Sequence, residues 1–122
     1  MTFDDIHQTK IHSKIAGVTF EERQSIVKQL KVGDTLILER EPTNIYDKNA
    51  IKVLLPDKRH VGYINKVLAR DLAEAMDRKN NYSCFVSGIT GQTHDSYGCN
   101  IIIAIDNKEV NLDGANKQYN IT

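Results

Sequence analysis

Three short apolar runs follow one another in the middle of the chain with little room between them: Thr35–Glu39 (TLILE), Ala50–Leu55 (AIKVLL) and Val61–Ile64 (VGYI). The spacers are ten residues (40–49) and five residues (56–60). A parallel strand pair needs a crossover of a dozen or more residues, so these runs are expected to pair antiparallel. The second spacer, PDKRH, is turn-like, and the first is crowded with turn formers.

The flanking sequence extends this small sheet. Lys10–Val18 alternates Ile11, Ser13, Ile15 and Gly17 on one side, which predicts a first strand ending at Gly17. Thr19, with Glu22 three residues on, has the spacing of a capping box for a following helix. Ile26, Val27 and Leu30 supply its apolar stripe, and Gly33 ends it. Asn65 is placed to cap a longer helix over 66–78, whose Val67, Leu68, Leu72, Ala75 and Met76 form one face. Tyr82–Ile89 and Cys99–Ile105 read as two further strands joined by the Gly-containing link TGQTHDSYG. The order is β-α-β-β-β-α-β-β, a mainly β chain with two α-helices that fits a small curled sheet or partly open barrel. Residues 1–9 read as a flexible lead, 10–106 as the domain and 107–122 as a polar C-terminal tail.

Few chemistries are compatible with this composition. No P-loop, GxGxxG, GxSxG or HExxH occurs, and Gly88, Gly91 and Gly98 do not open a helix with a GK[ST] sequence. Asp4–Asp5 and Glu21–Glu22 are adjacent solvated carboxylates rather than an acid/base pair, and His60 reads as a surface histidine. The expectation is a non-enzyme with no cofactor. Cys84 and Cys99 form no CxxC, and His7, His12, His60 and His94 lack ligand spacing, so no metal is expected and both thiols read as core residues. No apolar run is long enough to cross a bilayer, and MTFDDIHQTK has no leader character, which makes the cytoplasm the expected location. Sixteen basic residues balance sixteen acidic ones, poor support for indiscriminate binding along a polyanion. Recognition of an end or one short segment remains compatible with zero net charge.

The informative stretch is Arg40-Glu-Pro-Thr-Asn-Ile-Tyr-Asp-Lys-Asn-Ala-Ile-Lys-Val53. Asn44, Asp47 and Asn49 can satisfy local backbone groups as Asx residues do in irregular turns. Tyr46 has no such use in a turn. Taken in order with Ile15-Ala-Gly-Val-Thr-Phe-Glu-Glu-Arg-Gln24, Val61-Gly-Tyr-Ile64, Leu68-Ala69 and Gly88-Ile-Thr-Gly91, the stretch resembles a HIRAN domain. That module stands at the N-terminus of Swi/Snf-type, helicase-like fork-remodelling proteins, and alone as small bacterial proteins. The resemblance spans roughly residues 10–105 and implies a six-stranded, OB-like antiparallel barrel with two helices.

It also implies a function: capture of single-stranded DNA at its 3′ end, in a repair or replication-fork setting, with a helicase or repair protein as partner. Carried over residue by residue, Tyr46 would stack on a base and Asp47 would accept the 3′-hydroxyl. Phe20 would be a second platform, although its place at a helix start beside Ile26 and Leu30 also suggests partial burial. Tyr63 and Lys66 would contact the DNA backbone, Asn44 belongs to the same motif, and Arg40 would bind phosphate or pair with Glu41. Two positions depart from the family pattern: Thr19 stands where a basic residue is expected, and Ile89–Thr90 where an aromatic is. Those departures support an alternative, a protein-interaction module on the same barrel that has lost DNA binding. Fused relatives have their motor, and sometimes a RING, in other domains; this sequence has neither Walker motifs nor clustered cysteines.

Overall fold

The three central runs form the antiparallel meander that their spacing requires. In the computed structural model, which describes residues 8–78, 81–91 and 96–106, strand β2 (Thr35–Arg40) pairs with β3 (Ile51–Leu54), Arg40 opposite Ile51 and Ile37 opposite Leu54. Strand β3 then pairs with β4 (His60–Tyr63), with a bulge at Val53/Leu54 that bends the ladder. Alternation places Leu36 and Leu38 inward while their neighbours face out.

Strands β5 (Tyr82–Thr90) and β6 (Gly98–Asp106) make a long hairpin, bulged between Val86 and Gly88. Strand β1 (Gln8–Lys14) adds to β6, and β5 joins β2 through Thr35↔Phe85 and Leu36↔Cys84. The sheet order is β1-β6-β5-β2-β3-β4, all antiparallel. Just past β1, Ala16 exchanges two backbone hydrogen bonds with Tyr63 of β4, at 2.8 and 2.9 Å. The two ends of the strand order therefore meet, and the sheet is a curled, OB-like half-barrel as expected.

That seam requires glycine. A Cβ at Gly62 would lie 2.5 Å from the Ala16 carbonyl oxygen and 2.6 Å from Ile15 Cγ2. Beyond the seam the chain turns through Gly17, whose φ of 72° is the left-handed region that glycine enters without strain.

Helix α1 (Glu21–Val27) starts later than the expected capping box allows. Its N-cap is Phe20, which makes no side-chain capping bond, so Thr19 and Glu22 are out of register for the box. The helix also ends before Gly33, which lies in the turn leading to β2 and donates its N–H to Val86 at 2.8 Å. Phe20 is 60% exposed rather than partly core, because Val27 and Leu30 already fill the space beneath α1. Helix α2 (Lys66–Asp77) begins as expected, with Asn65 Oδ1 accepting the Leu68 N–H at 2.9 Å. Its buried face centres on Ala69, Leu72 and Ala73, which leaves Val67 71% exposed and outside the expected apolar stripe.

The core is built mainly of Ile51, Val53, Val61, Val86, Ile101 and Ile103. Both cysteines belong to it, and burial pushes their thiols up to about 12 for Cys84 and about 11 for Cys99. No helix among the described residues is long and apolar enough to cross a membrane. The expected lead and tail fall, save for Gln8 and Thr9, outside the described residues, as does the centre of the β5–β6 loop at 92–95.

Candidate functional site

The ten-residue spacer after β2 is held by its own polar groups. Asn44 Oδ1 accepts the backbone N–H groups of Tyr46 at 2.8 Å and Asp47 at 3.0 Å. Asp47 Oδ1 accepts from the Asn49 N–H at 2.9 Å, and the Ala50 N–H returns to the Asp47 carbonyl at 3.0 Å. These are Asx turns, in which a short side chain stands in for a missing backbone partner. Beneath them, Arg40 Nη1 donates to the carbonyls of Lys48 and Ala50, and its Nε and Nη2 donate to Asp77 on α2 at 3.0 and 3.3 Å. The expected Arg40–Glu41 pair is not formed, because the arginine reaches towards α2 instead.

A spacer so well satisfied could afford to tuck its apolar side chains away, yet Ile45 and Tyr46 are 86% and 87% exposed. Tyr46 projects beside two adjoining concavities of about 310 and 350 Å³ that share Asn44, Tyr46 and Tyr63 as walls. The first continues to Asp47, Ala50, Ile64 and Lys66, the second to Glu41, Thr43 and Ile45. Together they make one open groove between the spacer and the start of α2. Five sequence-identified residues, Asn44, Tyr46, Asp47, Tyr63 and Lys66, thus line a single site.

Tyr63 is the fixed wall of this groove. Its hydroxyl donates to Glu41 Oε1 at 3.0 Å, and Asn44 Nδ2 donates to the same oxygen at 2.7 Å. Lys52 lies 3.4 Å from the other carboxylate oxygen. Glu41 is held below its ordinary value, chiefly by the Asn44 bond, with Tyr63 and Lys52 adding to it against the opposing effect of burial. The Tyr63 phenol is pushed up, first by burial and then by the carboxylate beside it.

Phe20 and Arg40 do not line the groove. Arg40 supports the spacer from below. Phe20 joins the site indirectly, through a residue to which the sequence assigned no role. The Arg23 guanidinium lies over the Phe20 ring at 4.7 Å and over the Tyr63 ring at 5.6 Å. Its Nη1 donates to the Gly17 carbonyl at 2.8 Å, and its Nη2 is 3.4 Å from His60 Nδ1. His60 Nε2 donates to the Gly62 carbonyl at 2.8 Å, and the ring meets Tyr63 edge-on at 4.9 Å. Burial, with the charge of Arg23 next, lowers the His60 pKa and keeps the ring neutral. Arg23 stands three residues after Phe20, the N-cap of α1, and nothing else in the sequence marked it. Thr19 is exposed, and Ile89 and Thr90 are half-buried in β5; none of the three lines the groove. Among the described residues no group of three or more His, Cys, Asp or Glu side chains is arranged to hold a metal ion.

The HIRAN domain family model matches residues 9–106. The chain belongs to the HIRAN domain family. Its HIRAN domain is 52% identical over 46 residues to the helicase-like transcription factor of Oryctolagus cuniculus, which covers 38% of this chain and 5% of that protein. It is 32% identical over 77 residues to the Fanconi-associated nuclease 1 homolog of Arabidopsis thaliana, 63% of this chain and 8% of that one. The chain therefore spans less than a tenth of the length of these curated relatives. The HIRAN domain of human HLTF superposes with a TM-score of 0.65 at 22% identity, covering 93% of this chain and 87% of that one. A Lactobacillus plantarum protein reaches 0.68, also at 22% identity, over 80% of this chain and 94% of that chain. These likenesses establish the fold.

Proposed function

We propose that this HIRAN domain binds single-stranded DNA, with the 3′ end seated in the groove between Tyr46 and Tyr63. The observation that carries the reading is an almost fully exposed Tyr46 on a backbone already fixed by Asn44. A ring presented on a rigid turn loses little entropy on stacking, and base–aromatic stacking is worth about 1–3 kcal/mol per base. Asp47 uses Oδ1 within its turn, which leaves Oδ2 to accept the proton of a terminal hydroxyl. The same charge repels a terminal phosphate, so a free 3′-hydroxyl is the preferred end. Lys66, exposed at the end of the groove, supplies a point charge for the strand. In this reading the domain is a binding module rather than an enzyme. It acts in the cytoplasm in a repair or fork setting, alongside a helicase or repair protein. Membership of a family shared with helicase-like and nuclease proteins supports that setting.

Fluorescence-anisotropy titration of one short strand in three versions, with a free 3′-hydroxyl, with a 3′-phosphate and circular, tests the reading. Preference for the free hydroxyl, lost in Asp47→Ala, is the expected result. Equal binding to all three versions, or none, would remove end recognition. The second reading, a protein-interaction surface, draws on the exposed Ile45 and Val67 near the groove and on the zero net charge. An apolar protein contact would change little with salt, whereas strand binding weakens as salt rises.

A further inference from the structure

We propose that Arg23 is the groove's anchor for a phosphodiester, binding the linkage next to the 3′-terminal nucleotide while Phe20 carries the following base. The inference rests on the strand-binding reading above and extends it to a position the sequence left without a cation.

Charge pairing singles Arg23 out. Each of the other four arginines has a carboxylate partner: Arg40 with Asp77, Arg59 with Asp57, Arg70 with Asp71 and Arg78 with Glu74. Arg23 has none among the described residues; its two hydrogen-bonding contacts there are the neutral Gly17 carbonyl and the neutral His60 ring. A guanidinium has five N–H donors, so those contacts leave three for an incoming anion. The cation is also held in place. Ring faces of Phe20 and Tyr63 lie under it, and the Gly17 bond ties it to the turn before α1. A fixed planar fork suits the paired oxygens of a phosphate.

The choice of a polynucleotide over another anion comes from what surrounds the charge. Tyr63 is shared, walling the groove and lying beneath Arg23, while Phe20 on the far side is open to solvent. Ring, cation and ring follow one another across this face. Base, phosphate and base follow one another along a strand. The arrangement would also supply the basic contact that Thr19 does not.

The test uses the whole chain and a short oligonucleotide with a free 3′-hydroxyl, compared with one whose last linkage is an uncharged methylphosphonate. Arg23→Gln should weaken binding to the ordinary strand about tenfold, and should reduce the slope of log affinity against log salt by about 0.7. The methylphosphonate should weaken the parent to a similar extent and leave Arg23→Gln unaffected, since each change removes the same contact. Arg23→Lys should keep the salt slope while losing part of the affinity. A thermal melt of each variant reports any purely structural role, which would lower the melting point and leave the slope alone. Binding by Arg23→Gln with parental affinity and slope, or a parent indifferent to the methylphosphonate, would overturn the Arg23 assignment and leave end capture standing. A parent that binds no single strand would overturn both.

Discussion

The role proposed for Tyr46 and the structural one of Gln24 should be separable by replacement. The Tyr46 side chain is almost fully exposed, so Tyr46→Ala should change stability by no more than about 0.5 kcal/mol, read from urea unfolding. The same variant should lose about 1–3 kcal/mol of oligonucleotide affinity by anisotropy. Gln24 is buried, and its side chain bonds three backbone groups: Nε2 to the carbonyls of Val18 (2.7 Å) and Tyr97 (2.8 Å), and Oε1 to the Tyr97 N–H (2.7 Å). Gln24→Ala strands those groups and should destabilise the domain by about 1–3 kcal/mol, read from urea unfolding. That Tyr46, Asp47 and Asn44 would share a candidate site was legible because they fall within four residues of one another and because a turn has no use for a tyrosine. Gln24 and Arg23 were not, since each works through partners distant in sequence, Tyr97 for one and Tyr63 for the other.

The strands were readable from alternation and spacing, except that β1 ends at Lys14 rather than Gly17 because the chain leaves β6 there to bridge to Tyr63. Helix α2 was readable from Asn65 and its apolar repeat. Helix α1 was misread at both ends because a Thr–Glu pair at the right interval does not fix where the helix begins, and a glycine past its stripe does not fix where it stops. The seam between the residues after β1 and strand β4 left no sequence signal beyond an unexplained glycine. Gly62→Ala would force the Ala16 carbonyl and Ile15 away and should cost about 1–3 kcal/mol by urea unfolding, with the groove losing affinity as Tyr63 shifts. Acid should loosen the same elements. His60 has a folded pKa below its ordinary 6.5, so the unfolded chain takes the proton first and stability falls as pH drops below that value. Glu41, lowered from 4.5, contributes stability above that value, which is lost as pH falls through its folded pKa. Melting points should therefore decline between pH 7 and pH 4, roughly, with His60→Gln flattening the upper part of the decline and Glu41→Gln the lower.

At the scale of the molecule, an antiparallel barrel of this kind is a scaffold on which a site is carried at the rim, and fold alone does not dictate ligand. The membership of the chain was legible because several segments in order, above all Arg40 to Val53 followed shortly by Val61 to Ile64, resemble the family's pattern. The overlap of scaffold and site is greatest at Tyr63, whose backbone closes the ring of strands with Ala16 while its side chain walls the groove. Whatever occupies the groove must then slow the transient parting of that closure, because anything bound only to the closed form draws the population towards it. The amide protons of Ala16 and Tyr63, which bond across it, should exchange with deuterium more slowly when an oligonucleotide is present. Those in the β5–β6 hairpin should change little, so two backbone protons on the closure can report occupancy of the groove.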